Sequence, residues 1–150
     1  MPLARVHIAE EKGDFVKSLR LAEDSTGLFN SYSELLTFAA AIGVSRSRRV
    51  PIEKSTKYDP DPIPQDQFKK RFLIDLIAVH ETQDPKILTN SDEHDVERVK
   101  IFEEYANGGL EILAAELSGS IDYTEQILLL LKSTSDASNT QDEFDLSRFI

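Results

Sequence analysis

Between Asp92 and Leu117 the chain carries Val99, Phe102, Ala106, Leu110, Leu113 and Leu117 at successive spacings of 3, 4, 4, 3 and 4. That rhythm holds one apolar stripe on one side of an α-helix and lies close to a heptad seam. A stripe of this length has to be covered by other helices. Gly108 and Gly109 fall inside it. Two adjacent glycines within a helix cost about 1 kcal/mol each relative to alanine, and no proline accompanies them. The pair is therefore expected to serve close backbone approach, from another helix of the chain or from a partner, with a simple kink as the competing explanation.

The remaining segments predict a mainly α chain of about five helices with a short N-terminal β-strand. Ala4, Val6 and Ile8 alternate with Arg5 and His7, the pattern of a half-buried strand. Residues 9–22 read as a helix with Phe15, Val16, Leu19 and Ala22 on one face. The next helix starts at Asn30 or Ser31, where Glu34 completes a capping box, and Gly43 is placed to end it. A third helix is expected over 65–82, with Phe68, Phe72, Leu76 and Val79 on an inward stripe widened by Leu73 and Ile77. The fourth is Asp92–Leu117. A fifth covers 122–132, where Leu128–Leu131 is apolar all round and so expected to be buried. Pro60, Pro62 and Pro64 among aspartates mark a connector. The expected organisation is one helical domain over 1–133, made of 1–54, a connector at 55–66 and 67–133. A flexible acidic tail over 134–150 follows, in which Phe144, Leu146, Phe149 and Ile150 are apolar.

Several function classes find no support in the sequence. There is no cysteine, hence no disulfide, thiolate metal site or cysteine nucleophile. No apolar run approaches the roughly 20 residues that span a bilayer. The start, Met1-Pro2-Leu3-Ala4-Arg5, lacks the apolar core of a secretory signal, so a cytoplasmic protein is expected. His7, His80 and His94 share no helical metal-pair spacing. Glycine-rich phosphate loops and a Gly-x-Ser-x-Gly elbow are absent. Neighbouring acids such as Glu103-Glu104 diverge by about 100° on a helix and make no acid/base pair. The expectation is a protein without catalytic residues, metal or cofactor, with a small nuclease-type enzyme as the remaining alternative.

Charge is unevenly distributed. The formal net charge is -10, but residues 1–57 hold nine basic and seven acidic residues, whereas 58–150 hold eight and twenty. Such asymmetry suggests different partners for the two ends, or a solvated acidic helical surface. The order strand, helix, turn, helix in the first fifty residues is that of a ribbon-helix-helix unit. There, Arg5 and His7 would read base edges from a dimer's paired strands, while Asn30 and Ser31 would meet phosphate. The plainer alternative is a strand pairing within the domain. The dense cluster Ser45-Arg46-Ser47-Arg48-Arg49 also reads two ways. Arg46, Arg48 and Arg49 either contact phosphate or complement a helix C-terminus and pair with the acidic half.

Two segments carry a family resemblance. Leu35-Leu36-Thr37-Phe38-Ala39-Ala40-Ala41-Ile42-Gly43-Val44 followed by Arg48-Arg49-Val50-Pro51 is similar to a signature of small Dnd-associated proteins, the family called DNA phosphorothioation-associated protein 4. Glu103-Glu104-Tyr105-Ala106-Asn107-Gly108-Gly109-Leu110-Glu111-Ile112-Leu113 resembles the same family's second signature. The likeness spans roughly residues 5–117 and brings no catalytic residues with it. It implies a place in bacterial systems that put sulfur into the DNA backbone and restrict DNA accordingly. The expected role is a non-catalytic accessory component of such a defence system. Its partners would be other proteins of the system, with DNA as a second partner of the N-terminal half. The alternative is a dimeric ribbon-helix-helix-like regulator of the cluster.

Overall fold

The structure is a computed structural model and describes residues 3–19, 29, 31–57, 61–117 and 125–132. Its centre is a 26-residue helix, Asp92–Leu117. The whole predicted stripe is buried: Val99, Phe102, Ala106, Leu110, Leu113 and Leu117 are each at most 3% exposed. From Tyr105 to Leu110 every residue is buried, so this stretch is enclosed on all sides rather than along one stripe. The glycine pair does not interrupt the helix, which is continuous through it.

Four further α-helices occur among the described residues. We number them in chain order: α1 Gly13–Leu19, α2 Tyr32–Ser45, α3 Phe72–Thr82, α4 the central Asp92–Leu117, and α5 at 125–132. Short 3-10 turns at Glu10–Lys12, Gln65–Gln67 and Pro85–Leu88 join or precede them. The start of α2 follows from sequence: Ser31 is the N-cap and its hydroxyl accepts from the Glu34 amide at 3.2 Å. Its end does not. Gly43 is a buried interior residue, and the helix runs on to Ser45, with Ser47 adopting the left-handed backbone at φ 53°. α3 is shorter than expected, and its inward face is turned from the expected stripe, although Phe68 ahead of it and Ile77 within it are buried as expected. Ile74, Ile77 and Ala78 are buried, whereas Phe72 and Leu76 are 57% and 55% exposed.

The predicted N-terminal strand is not formed, and with it the ribbon-helix-helix reading falls. The described residues contain no strand; the bridges are isolated, among them the antiparallel pairs Val6–Ile63 and Ala9–Ser55. The side chains do alternate, Val6 and Ile8 being buried and Arg5 exposed. The backbone, however, is satisfied piecemeal. Val6 exchanges two hydrogen bonds with Ile63, at 2.9 and 2.8 Å, and the Glu10 amide donates to Lys54. The Ala4 and His7 amides donate to side-chain carboxylates of α4, Asp95 at 2.6 Å and Glu103 at 2.8 Å. A partner's strand would find those amides already engaged. The proline-rich stretch expected as a connector lies against this segment, since Ser55 and Ile63 are its bridge partners.

By its contacts the chain divides into two compact units, Met1–Ala114 and Ala115–Ile150. Within the second, α5 buries Ile127 and Leu130 but leaves Leu128, Leu129 and Leu131 at 62%, 53% and 40% exposure. The expectation that this run is wholly buried is therefore corrected. Residues 134–150, expected as a tail, lie outside the described residues.

Candidate functional site

α2 and α4 pass each other through small residues. A Cβ placed on Gly109 would come within 2.9 Å of the Ala39 Cα and closer still to its carbonyl, and one on Gly43 would run into the Tyr105 carbonyl. Ala39 thus meets Gly109 while Gly43 meets Tyr105, so the helices run in opposite senses at the crossing. Gly108 serves the next segment. A Cβ there would meet the Arg48 carbonyl, its carbon at 2.7 Å. This close approach lets the Val50 amide donate to the Glu104 carbonyl at 3.0 Å.

That approach brings the arginine cluster onto α4. Arg49 lies between two carboxylates: its Nε donates to Glu104 at 2.7 Å and its Nη1 to Glu81 of α3 at 3.0 Å. Burial opposes its charge, but the bonds to Glu104 and then Glu81 prevail and raise its pKa. Glu81 also accepts from the Tyr105 hydroxyl. That bond, followed by the Arg49 charge, holds the Glu81 carboxyl below its ordinary value. Burial first, then Glu81, pushes the Tyr105 phenol up to about 12. Arg48 pairs with Glu111. Beneath it, Lys12 is buried and donates to the Asn107 side-chain oxygen, and burial lowers its pKa. Asn107 in turn donates to the Val50 and Pro51 carbonyls at 3.1 and 3.3 Å.

The other expected site residues are scattered. The Arg5 guanidinium reaches the Pro62 carbonyl at 3.5 Å. The His7 ring is 3.1 Å from Glu103, whose carboxyl is pushed up by burial against the opposing pull of His7. Ser31 is occupied as the α2 cap. Asn30 lies outside the described residues. Arg46 follows α2, and its backbone amide closes that helix onto the Ile42 carbonyl. Thus the structure brings Arg48, Arg49, Gly108 and Gly109 together. Arg5 and His7 are tied elsewhere, to Pro62 and Glu103.

Sequence reasoning missed Glu81, Glu104, Tyr105, Lys12 and Asn107. Only Asn107 carried a signal, a lone amide beside two glycines within an apolar seam. It also missed the basic run Lys69-Lys70-Arg71 ahead of α3. All three are exposed, and their side chains have no hydrogen-bond or ion-pair partner among the described residues. Lys69 and Lys70 edge an open groove of about 470 Å³ between α2 and α3, with Phe29, Phe38, Ala41 and Leu73 as its apolar lining. Among the described residues no group of three or more His, Asp or Glu is placed to hold a metal ion, and no helix is long and apolar enough to cross a membrane.

Fold and site together define a small helical protein whose charged side chains clamp its own segments around one central helix. The chain belongs to the family of DNA sulphur modification system-associated protein 4, whose model matches residues 5–149. The family is thus associated with DNA sulphur modification systems. No curated protein and no solved structure matches the chain.

Proposed function

We propose that the protein is a non-catalytic accessory component of a DNA sulphur modification system, acting in the cytoplasm through contacts with the system's other proteins. The observation that carries the non-catalytic part is the closure of the polar clusters. Arg49 is held by Glu81 and Glu104, Glu103 by His7, and Asp95 by Arg98 and the Ala4 amide. Among the described residues no buried side-chain polar atom lacks a partner. A general acid, base or nucleophile needs a face open to substrate, and these groups face one another. Protein contact is favoured over DNA contact for a related reason. Arg48 and Arg49 hold carboxylates, so phosphate would have to displace Glu111 or Glu104 and Glu81.

The test is co-expression of the tagged protein with the proteins of its own system. The expected result is retention of at least one of them through purification. The purified protein alone should leave phosphorothioated and ordinary DNA intact. Cleavage of either by the lone protein, lost on substitution of one of its own carboxylates, overturns the non-catalytic part. Failure to retain any component overturns the accessory part.

A further inference from the structure

We propose that the groove between α2 and α3 docks an acidic segment of another protein of the system, one whose apolar anchor residues stand between Asp or Glu. This rests on the accessory reading above and names the kind of partner surface it requires.

The groove has the two properties such a segment recognises. Its lining is mainly apolar: Phe29 and Phe38 make a tilted ring pair at 5.5 Å, with Ala41 on one wall and Leu73 on the other, and the one lining carboxylate, Glu34, is outnumbered by Lys69 and Lys70. Thr37 and Ser33, the hydroxyls at its lip, are already engaged within α2, Thr37 donating to the Ser33 carbonyl at 2.8 Å and the two serine hydroxyls of Ser31 and Ser33 meeting at 2.9 Å. An occupant therefore gains little from hydrogen bonds there and most from burying apolar side chains, the usual basis of helix-in-groove recognition. The apolar surface also continues beyond the groove. Phe72 and Leu76 stand exposed on α3, one and three positions from Leu73.

Charge then selects among apolar segments. In a chain of net charge -10, Lys69, Lys70 and Arg71 form a local positive spot with no side-chain partners among the described residues. The arginine cluster does not compete, because Arg48 and Arg49 are paired. An acidic segment is repelled by the chain as a whole but attracted at this rim. At physiological ionic strength the long-range repulsion is screened beyond about 8 Å, so the local attraction decides. A nucleic acid would need a basic track longer than three residues to offset the acidic surface around it.

The experiment uses the full chain co-expressed with its system. Lys69→Glu/Lys70→Glu reverses the rim at two exposed positions, and Ala41→Glu places an acid on the groove wall, also at an exposed position. Both variants should keep the wild-type melting temperature. Each should lower the amount of partner retained at least tenfold. A photo-crosslinking residue in place of Thr37 should attach to a peptide of that partner in which apolar residues are flanked by Asp or Glu. Replacing those acids by Lys should restore binding to the Lys69→Glu/Lys70→Glu variant. If the wild type retains a partner and both variants retain as much, the groove proposal fails and the accessory reading stands. A crosslink to DNA, to a second copy or to a basic segment also overturns it. If the wild type retains nothing, both fall together.

Discussion

Replacing Gly109 by alanine sets two physical effects against each other with a known sign for each. Alanine in a helix interior gains about 1 kcal/mol over glycine. Against this, the new Cβ would lie 2.5 Å from the Ala39 carbonyl carbon and 2.9 Å from its Cα, where carbon atoms prefer about 3.5–4.0 Å. The obstacle is the backbone of a buried helix, which cannot rotate aside as a side chain would. Relief requires α2 and α4 to move apart, although both helices carry fully buried residues, Leu35 and Leu36 on α2 and Leu110 on α4. Overpacking of this kind costs about 1–3 kcal/mol, and a clash with backbone belongs at the upper end. The net expectation is a loss of about 2 kcal/mol. For a chain of this size that lowers the melting temperature by roughly 4–8 °C, read by circular dichroism and checked by urea denaturation. Gly43→Ala, at the Tyr105 end of the same crossing, should lose a similar amount, and the double variant less than the sum. Lys100→Ala, exposed on α4, should stay within about 0.5 kcal/mol. If Gly109→Ala is as stable as wild type or more so, the backbone contact is not tight and the reasoning fails.

Arg49→Ala leaves Glu81 and Glu104 without their shared cation and should cost about 1–3 kcal/mol, between an exposed and a buried pair; an unchanged urea midpoint would contradict the clamp. Glu81, held below the ordinary 4.5 first by the Tyr105 hydroxyl, stabilises the fold above that pH and loses the effect as pH falls through its folded value. Glu81→Gln should therefore flatten the acid limb of the stability profile. Tyr105 has the opposite sign: its raised value means stability present below about 10 and lost as pH rises through about 12. Absorbance titration should show a late phenol that Tyr105→Phe removes. Ile74→Ala should cost about 2–5 kcal/mol, whereas Leu76→Ser should stay within about 0.5 kcal/mol; the reverse ranking would mean α3 is turned the other way.

What could be read from sequence was what local periodicity determines. α4 has one apolar rhythm and no competing one, so its extent and its apolar seam followed, but not the burial of Glu104, Tyr105 and Asn107 beside that seam. α3 has apolar residues almost all round: Phe72, Leu73, Ile74, Leu76, Ile77, Ala78 and Val79. There the inward face is set by which side meets the rest of the fold, and periodicity had no means to choose. At the N-terminus the alternation described side-chain burial correctly, but alternation says nothing about which atoms satisfy the backbone. The arginine cluster was open between phosphate and carboxylate because its partners lie far along the chain, at Glu81, Glu104 and Glu111. Glu103 and Glu104 diverge on the helix and make no acid/base pair. That divergence is what lets one hold His7 and the other Arg49.

The acidic residues of α4 explain how a chain with so little sheet fixes its irregular segments. Buried backbone amides and carbonyls must find partners, and in most folds of this kind a neighbouring strand supplies them. Here side chains of α4 do so, one segment after another. Asp95 accepts from the Ala4 amide and Glu103 from the His7 amide. Asn107 donates to the Val50 and Pro51 carbonyls. Arg98 donates to the Ile87 and Thr89 carbonyls at 2.7 and 3.1 Å, while also pairing with Asp95. Gln65, fixed by Asp95, returns a bond to the Ala4 carbonyl at 2.8 Å. Each of these groups is committed to a backbone position, so removing one orphans a main-chain atom as well as a side chain. The acids that account for much of the negative charge near the centre of the fold are thus structural, and under the proposed accessory role partner recognition would fall to surface they do not organise. The open apolar groove on the side of α2 and α3, with lysines that have no side-chain partner among the described residues, meets that condition.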